Sequence, residues 1–234
     1  MMKIPQTQVL SDDQALQLLK LAELRGWQIH YAPEKHQLLI ENETGWLAKL
    51  YLPWTQVWLP ESGFSRAEDV HYCITMVRAG QASIGYFHQG KLLDHKVFRA
   101  YMVRQKQGKS QFKYLKTKGK SRAGSRIRLE ETEQFFKDIN ERLQVYAKQY
   151  PLNFWGLGCA KTLWPLLVDG EVKPPFTSKS VELIELPYPF TKGSFEELQE
   201  LELRLQQFHL LLSPFGEPLI QLNQASNPEE DDSW

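Results

Sequence analysis

His71-Tyr72-Cys73-Ile74-Thr75-Met76-Val77-Arg78 is turned by Ala79-Gly80-Gln81 into Ala82–His88, and by Gln89-Gly90 into Lys91–Phe98; this stretch decides the fold. Apolar runs joined by such short, glycine-bearing turns read as antiparallel neighbours in one sheet. Downstream the period changes. Phe135, Phe136, Ile139, Leu143, Tyr146 and Ala147 lie on one face of a helix from about Glu130 to Tyr150, which Pro151 ends. Phe154–Ala160 and Val181–Leu186 read as strands. Trp164–Val168 is too short for its period to separate strand from helix. Ser194, with Glu197 three residues on, caps a helix bearing Leu198, Leu201, Leu205 and Phe208. Hairpins followed by strands interleaved with helices predict an α/β (α+β) fold, a mixed β-sheet flanked by helices.

Upstream lies a smaller α+β pattern. Ser11 and Gln14 form a capping box, with Asp12 and Asp13 favouring the helix dipole. Leu16, Leu19 and Ala22–Leu24 recur at helical spacing, and Gly26 supplies a stop. Trp27, Ile29 and Tyr31 alternate as a strand; His36–Glu41 and Trp46–Leu52 read as two more. Pro53–Asp69, with Pro60 and Gly63, reads as a connection; its Trp54 and Trp58 are expected to be packing residues. The expected units are therefore a helix plus β-meander over 1–66, a larger domain over 67–212, and an acidic, disordered tail over 213–234.

The 234 residues hold 28 basic and 28 acidic side chains, so the chain is neutral overall and its charge must be read by segment. Cys73 and Cys159 are far apart and sit in apolar runs, which argues against a disulfide framework, a thiolate metal site and a nucleophilic cysteine. No run of ~18 apolar residues suggests a membrane span, and Met1–Pro5 has no apolar signal core; the expected location is cytoplasmic. His30, His36, His71, His88, His95 and His209 show no metal-ligand spacing, so no metal is expected. No phosphate-binding loop or dinucleotide fingerprint appears, so no nucleotide cofactor is expected.

Charge concentrates between His95 and Leu129. That stretch has twelve basic residues and no acidic one: Lys96, Arg99, Arg104, Lys106, Lys109, Lys113, Lys116, Lys118, Lys120, Arg122, Arg126 and Arg128. Such a run tracks phosphates and displaces their counterions. Phe112 and Tyr114 within it can stack on unpaired bases. The Gly, Ser, Lys and Thr content of residues 105–125 reads as a loop. At its tip, Gly108-Lys109-Ser110-Gln111 presents an amide. Gln111 cannot be a general base, but it can orient a water or hydroxyl and donate to an oxyanion.

Leu93 to Gln111, then Lys118-Gly119-Lys120-Ser121-Arg122-Ala123-Gly124-Ser125-Arg126-Ile127-Arg128, then Leu186-Pro187-Tyr188-Pro189-Phe190-Thr191-Lys192-Gly193-Ser194 stand in an order that resembles the Vms-like branch of the eukaryotic-type release factors. That branch includes the ankyrin-repeat and zinc-finger peptidyl-tRNA hydrolase of ribosome quality control. The resemblance covers about residues 71–210. It implies a release-factor catalytic domain in a compact, bacterial-type member. Gln111 matches the catalytic glutamine, Ser110 the small residue before it and Gly108 a loop glycine. Lys109 stands where relatives commonly carry a second glycine. The resemblance implies a ribosome-associated peptidyl-tRNA hydrolase without metal or cofactor. Its partners would be the large ribosomal subunit, ribosomal RNA and peptidyl-tRNA. Two alternatives stay open: cleavage of tRNA near its 3′ end, and a ribosome-binding factor without catalysis.

Overall fold

The computed structural model describes residues 7–61, 63–100 and 123–222, with backbone alone over 123–128. The chain forms two units, and their sequence ranges interleave: residues 33–35 and 54–206 belong to one, and residues 5–32, 36–53 and 207 onward to the other.

The smaller unit is an antiparallel sheet of β1 (Gln8–Leu10), β2 (Gln28–Ala32), β3 (Gln37–Asn42), β4 (Gly45–Tyr51) and β12 (Phe208–Leu212), in the order β1-β12-β4-β3-β2. Helix α1 (Asp12–Leu24) begins with the expected capping box, Ser11 and Gln14 bonding reciprocally. Its buried face is Ala15, Leu18, Leu19 and Ala22; Leu16 and Leu24 are exposed. The expected stripe therefore differs by about one position, because 15, 18, 19 and 22 share a face at 3.6 residues per turn.

Two expectations are corrected here. Phe208 is not on the last helix but begins β12, where His209 to Leu212 pair with Tyr51 to Ala48. The tail does not begin at Ser213: Ser213 is buried and its amide donates to the Leu47 carbonyl, and Gly216 lies so close to that carbonyl that a Cβ there would collide with it. Ile220 is buried as well. Residues 223–234 lie outside the described residues.

The larger unit is built on a mixed sheet of β7 (His71–Arg78), β8 (Gln81–His88), β9 (Lys91–Arg99), β10 (Phe154–Cys159) and β11 (Leu183–Glu185), in the order β11-β10-β7-β8-β9. The β7-β8-β9 meander is antiparallel, and β7, β10 and β11 run parallel. Helices cover both faces, which is why β7 is apolar without alternation. Cys73 and Val77 face α2 (Ala123–Gln149), packing with Phe135, Phe136, Ile139, Leu143 and Tyr146. Tyr72, Ile74 and Met76 face α4 (Phe195–Leu205), packing with Leu198, Leu201 and Leu205. The ambiguous Trp164–Val168 is a short helix, α3. Asn140, fully buried, donates to the carbonyls of Leu167 and Val172 at 2.7 Å and ties α2 to α3 and to the chain after it.

Trp54 is a core residue of this unit. It sits edge-on to Tyr72 and Phe154, and a Cβ on Gly156 would collide with its ring. Gly158 leaves the same room for Phe190. The strand β10 thus uses its glycines to admit two aromatic rings on one face, while Trp155 and Leu157 fill the other. Pro53–Asp69, expected as a plain connection, contains a hairpin of β5 (Gln56–Leu59) and β6 (Gly63–Arg66), with Trp58 packed on Phe64. Its strands are four residues long with no buried residue, and Val57-Trp58-Leu59 is too short an apolar run to mark a strand.

Candidate nucleic-acid interface

One end of the large sheet collects the groups of interest. There β7 stops at Arg78, β8 starts at Gln81, β10 stops at Cys159 and β9 stops at Arg99. The chain leaves the sheet at Ala100, whose amide donates to the Gly80 carbonyl at 2.9 Å. It is next described at Ala123, the start of α2. Near the C-terminal end of that helix, Arg142 pairs with Asp94 at 2.6 Å and Tyr150 stacks on Tyr86, both towards the opposite end of the sheet. The N-terminus of α2 therefore points back to the end where β9 stops.

Gly108, Ser110 and Gln111, and with them Arg104, Lys106, Lys109, Lys113, Lys116, Lys118, Lys120 and Arg122, lie in 101–122, outside the described residues. Arg126 and Arg128 fall in the first two turns of α2 rather than at a loop's edge, since the helix begins before the expected limit at residue 125. Lys96 and Arg99 are exposed on β9. His95 is exposed on β9, where its ring stacks on Phe195 with centroids 4.2 Å apart.

Beside the departure point lies a cleft of about 360 Å³, walled by Arg78, Gln81, Leu163, Thr191 and Lys192. Its construction explains the Pro189–Ser194 motif. Ser194 caps α4, accepting from the Glu197 amide at 3.3 Å. The Glu197 carboxylate does not close a capping box. It accepts from the amides of Thr191, Lys192 and Gly193 and from the Thr191 hydroxyl. Burial works upward on this carboxyl, but those bonds outweigh it and hold its pKa down to about 2. Gly193 takes φ +70°, which closes the turn around the carboxylate. Arg78 then locks the turn to the sheet: its Nε donates to the Thr191 carbonyl at 3.2 Å, and its guanidinium lies over the Phe190 ring. Arg78 and Lys192 are exposed and face a shared hollow with polar neighbours, an arrangement suited to an anionic oxygen.

Sequence reasoning passed over Arg78 as a site residue. Its only signal was a cation closing an apolar strand just before a glycine turn. Lys192 appeared only within the motif. The cysteines behave as expected: burial pushes the thiols of Cys73 and Cys159 up to about 12, so neither is a thiolate at neutral pH.

A second cluster was also missed. Strand pairing sets His71 opposite His88, and both ring Nε2 atoms donate to one Asp69 oxygen, at 3.1 and 2.8 Å. The bonds from His88 and then His71 hold the Asp69 carboxyl below its ordinary range. Linear spacing hides the group, because only the β7-β8 register brings the histidines together.

Among the described residues no helix is long and apolar enough to cross a membrane. No curated protein matches the chain. Among solved structures, the chain is similar to one described as the "Vms1 mitochondrial localization core", at 9% identity and a TM-score of 0.41, over 89% of this chain and 84% of that one. A family model for the Bacteroidetes VLRF1 release factor matches residues 72–212, from the second residue of β7 to the last of β12. That match takes in more than half of the chain, including both walls of the cleft and the whole basic segment, and the chain belongs to this release-factor family, within the Vms-like branch.

Proposed function

We propose that this protein is a ribosome-associated peptidyl-tRNA hydrolase that frees nascent chains from stalled large subunits. Membership of a release-factor family supports work at the ribosome. The observation that carries the rest is positional. The segment holding Gln111 is strung between β9 and α2, two elements fixed by the core, and it departs beside the Arg78–Lys192 cleft. A reaction done by positioning needs such a mount, because catalytic groups must be held by rigid elements.

In this reading the lysines and arginines of 104–128 hold ribosomal RNA and the acceptor stem, and the cleft takes a backbone phosphate near the tRNA 3′ end. Gln111 orients a water. The water oxygen bonds to the carbonyl carbon of the peptidyl ester, and the amide donor supports the oxyanion. The bond to the ribose oxygen then breaks, and the proton from water ends on that oxygen.

The test is single-turnover release from stalled large subunits carrying labelled peptidyl-tRNA, with the 3′ end of the RNA product resolved. Free peptide and intact tRNA are expected. Gln111→Ala should slow release by about 10²-fold or more. A shortened tRNA would replace hydrolysis by attack of a ribose 2′-hydroxyl on the neighbouring phosphate. Unchanged release in Gln111→Ala would refute the assignment of Gln111. Lys109, in the place of a glycine, favours one competing reading, a ribosome-binding factor without turnover, which predicts no release from either protein.

A further inference from the structure

At the end of the sheet away from the cleft, we propose that Asp69, His71 and His88 form a binding site for a divalent transition-metal ion, with Zn²⁺ as the natural probe. Each residue offers one ligand atom, and the three atoms lie within 4.8 Å of one another. The imidazoles of His71 and His88 are stacked, 8° from parallel with centroids 4.2 Å apart, and both present Nε2 to the same carboxylate oxygen. An ion lies in the plane of each imidazole it binds, so the more exposed His88 ring turns out of the stack to share one with His71, and the ion displaces the ring protons now directed at Asp69. Tetrahedral coordination with ligand bonds near 2.1 Å sets donors about 3.4 Å apart. The two carboxylate distances, 3.1 and 2.8 Å, are already near that value.

The surroundings suit a ligand set better than a chance cluster. The His71 Nδ1 lies 2.6 Å from the Tyr86 hydroxyl. That hydroxyl can donate to a bare Nδ1, or accept from a protonated one when Nε2 binds metal, so it holds the ring in either tautomer. Tyr86 is itself fixed by stacking on Tyr150, with centroids 3.7 Å apart. The exposure is graded: the His71 side chain is 13% exposed, His88 38% and Asp69 75%. Two imidazoles are therefore anchored on paired strands, while the open carboxylate side leaves room for water to complete the shell. Asp69 also takes a left-handed backbone, φ +54°, unusual for a residue other than glycine.

His71 begins β7 and His88 ends β8, whereas the cleft lies where β7 ends and β8 begins. Eight-residue strands put about 25 Å between the two ends. An ion here lies away from the Arg78–Lys192 cleft. It would fasten the chain entering β7 to the meander, raising the stability of the larger unit.

Untagged full-length protein, stripped with a chelator, is titrated with Zn²⁺ by calorimetry and with Co²⁺ by its visible absorption. One ion per chain is expected, with a rise in melting temperature on Zn²⁺ addition. His88→Gln, altering the more exposed ring, should lower affinity at least tenfold and abolish the thermal rise. Tyr86→Phe should weaken binding about tenfold through the loss of ring orientation. His30→Gln, at an exposed histidine outside the cluster, should bind as the parent does. Absence of saturable binding by the parent protein, or unchanged affinity in His88→Gln, overturns the site.

Discussion

Glu197→Gln tests how the cleft is built. One carboxylate accepts three backbone amides and a hydroxyl from the Thr191–Gly193 turn. A glutamine keeps the shape but removes the charge and turns an NH₂ towards donors that need an acceptor. The carboxyl's drop from 4.5 to about 2 is worth roughly 3 kcal/mol at full strength. The group is partly solvated, and screening reduces this to about 1–2 kcal/mol. The sign follows from linkage. A depressed carboxyl stabilises the fold above its unfolded pKa, near 4.5, and loses that contribution as pH falls through about 2. Urea denaturation should therefore show Glu197→Gln less stable by about 1–2 kcal/mol at pH 7, a fall of roughly 2–6 °C in melting temperature. The gap should narrow steadily below pH 4.5. A variant within about 0.3 kcal/mol of the parent at pH 7, or a gap unchanged at pH 3, would show that the turn does not depend on this carboxylate.

Three further outcomes are expected. Reversing Lys116, Lys118 and Lys120 to Glu should weaken binding to large subunits without lowering the melting temperature, and six to ten phosphate contacts in the parent should lose about a thousandfold in affinity between ~50 and ~200 mM salt; filter binding over a salt series measures both. Lys192→Glu leaves the Glu197 clamp intact, since the turn is held by backbone amides, and should lower the slope of log affinity against log salt by about 1 if the cleft takes a phosphate. Gly156→Ala sets a methyl against the Trp54 ring and should cost about 1–3 kcal/mol in urea denaturation, with Trp54 fluorescence reporting the displaced ring.

The centre of the large sheet was legible because β7 and β8 are buried apolar runs bounded by glycine turns, whereas β9, exposed or half-buried throughout, was marked chiefly by the Gln89-Gly90 turn before it. The end of α4 was not. Leu201, Leu205 and Phe208 continue the helical spacing, and the helix closes at Gln206 without a glycine or proline. Only the pairing of Phe208–Leu212 with β1 and β4 makes that segment a strand, and pairing is non-local. The β5-β6 hairpin failed for the opposite reason, its four-residue strands being too short for a period to register. The same division applies to sites. A run of lysines is visible in one dimension. Arg78 meets Lys192 only because the turn before α4 is bonded to the end of β7, and His71 meets His88 only through the register of the β7-β8 hairpin.

Hydrolase and binding factor share every cation in the cleft and the basic segment, so affinity cannot separate them. What distinguishes them is one uncharged group. Gln111→Ala changes no charge, and its effect on binding should be small in either case. Gln111→Glu is the sharper probe, because it retains the length of the side chain, removes the amide donor and brings a negative charge towards a polyanion. An enzyme that needs the amide should lose release in both variants, with the Glu form also binding more weakly. A catalyst in which Gln111 merely fills space should tolerate Glu at low peptide-release cost once saturating subunits offset the weaker binding. Single-turnover release at saturation thus isolates the amide: a loss of about 10²-fold in both variants corresponds to roughly 2.7 kcal/mol of transition-state stabilisation. Near-parental rates in both would take Gln111 out of the reaction altogether.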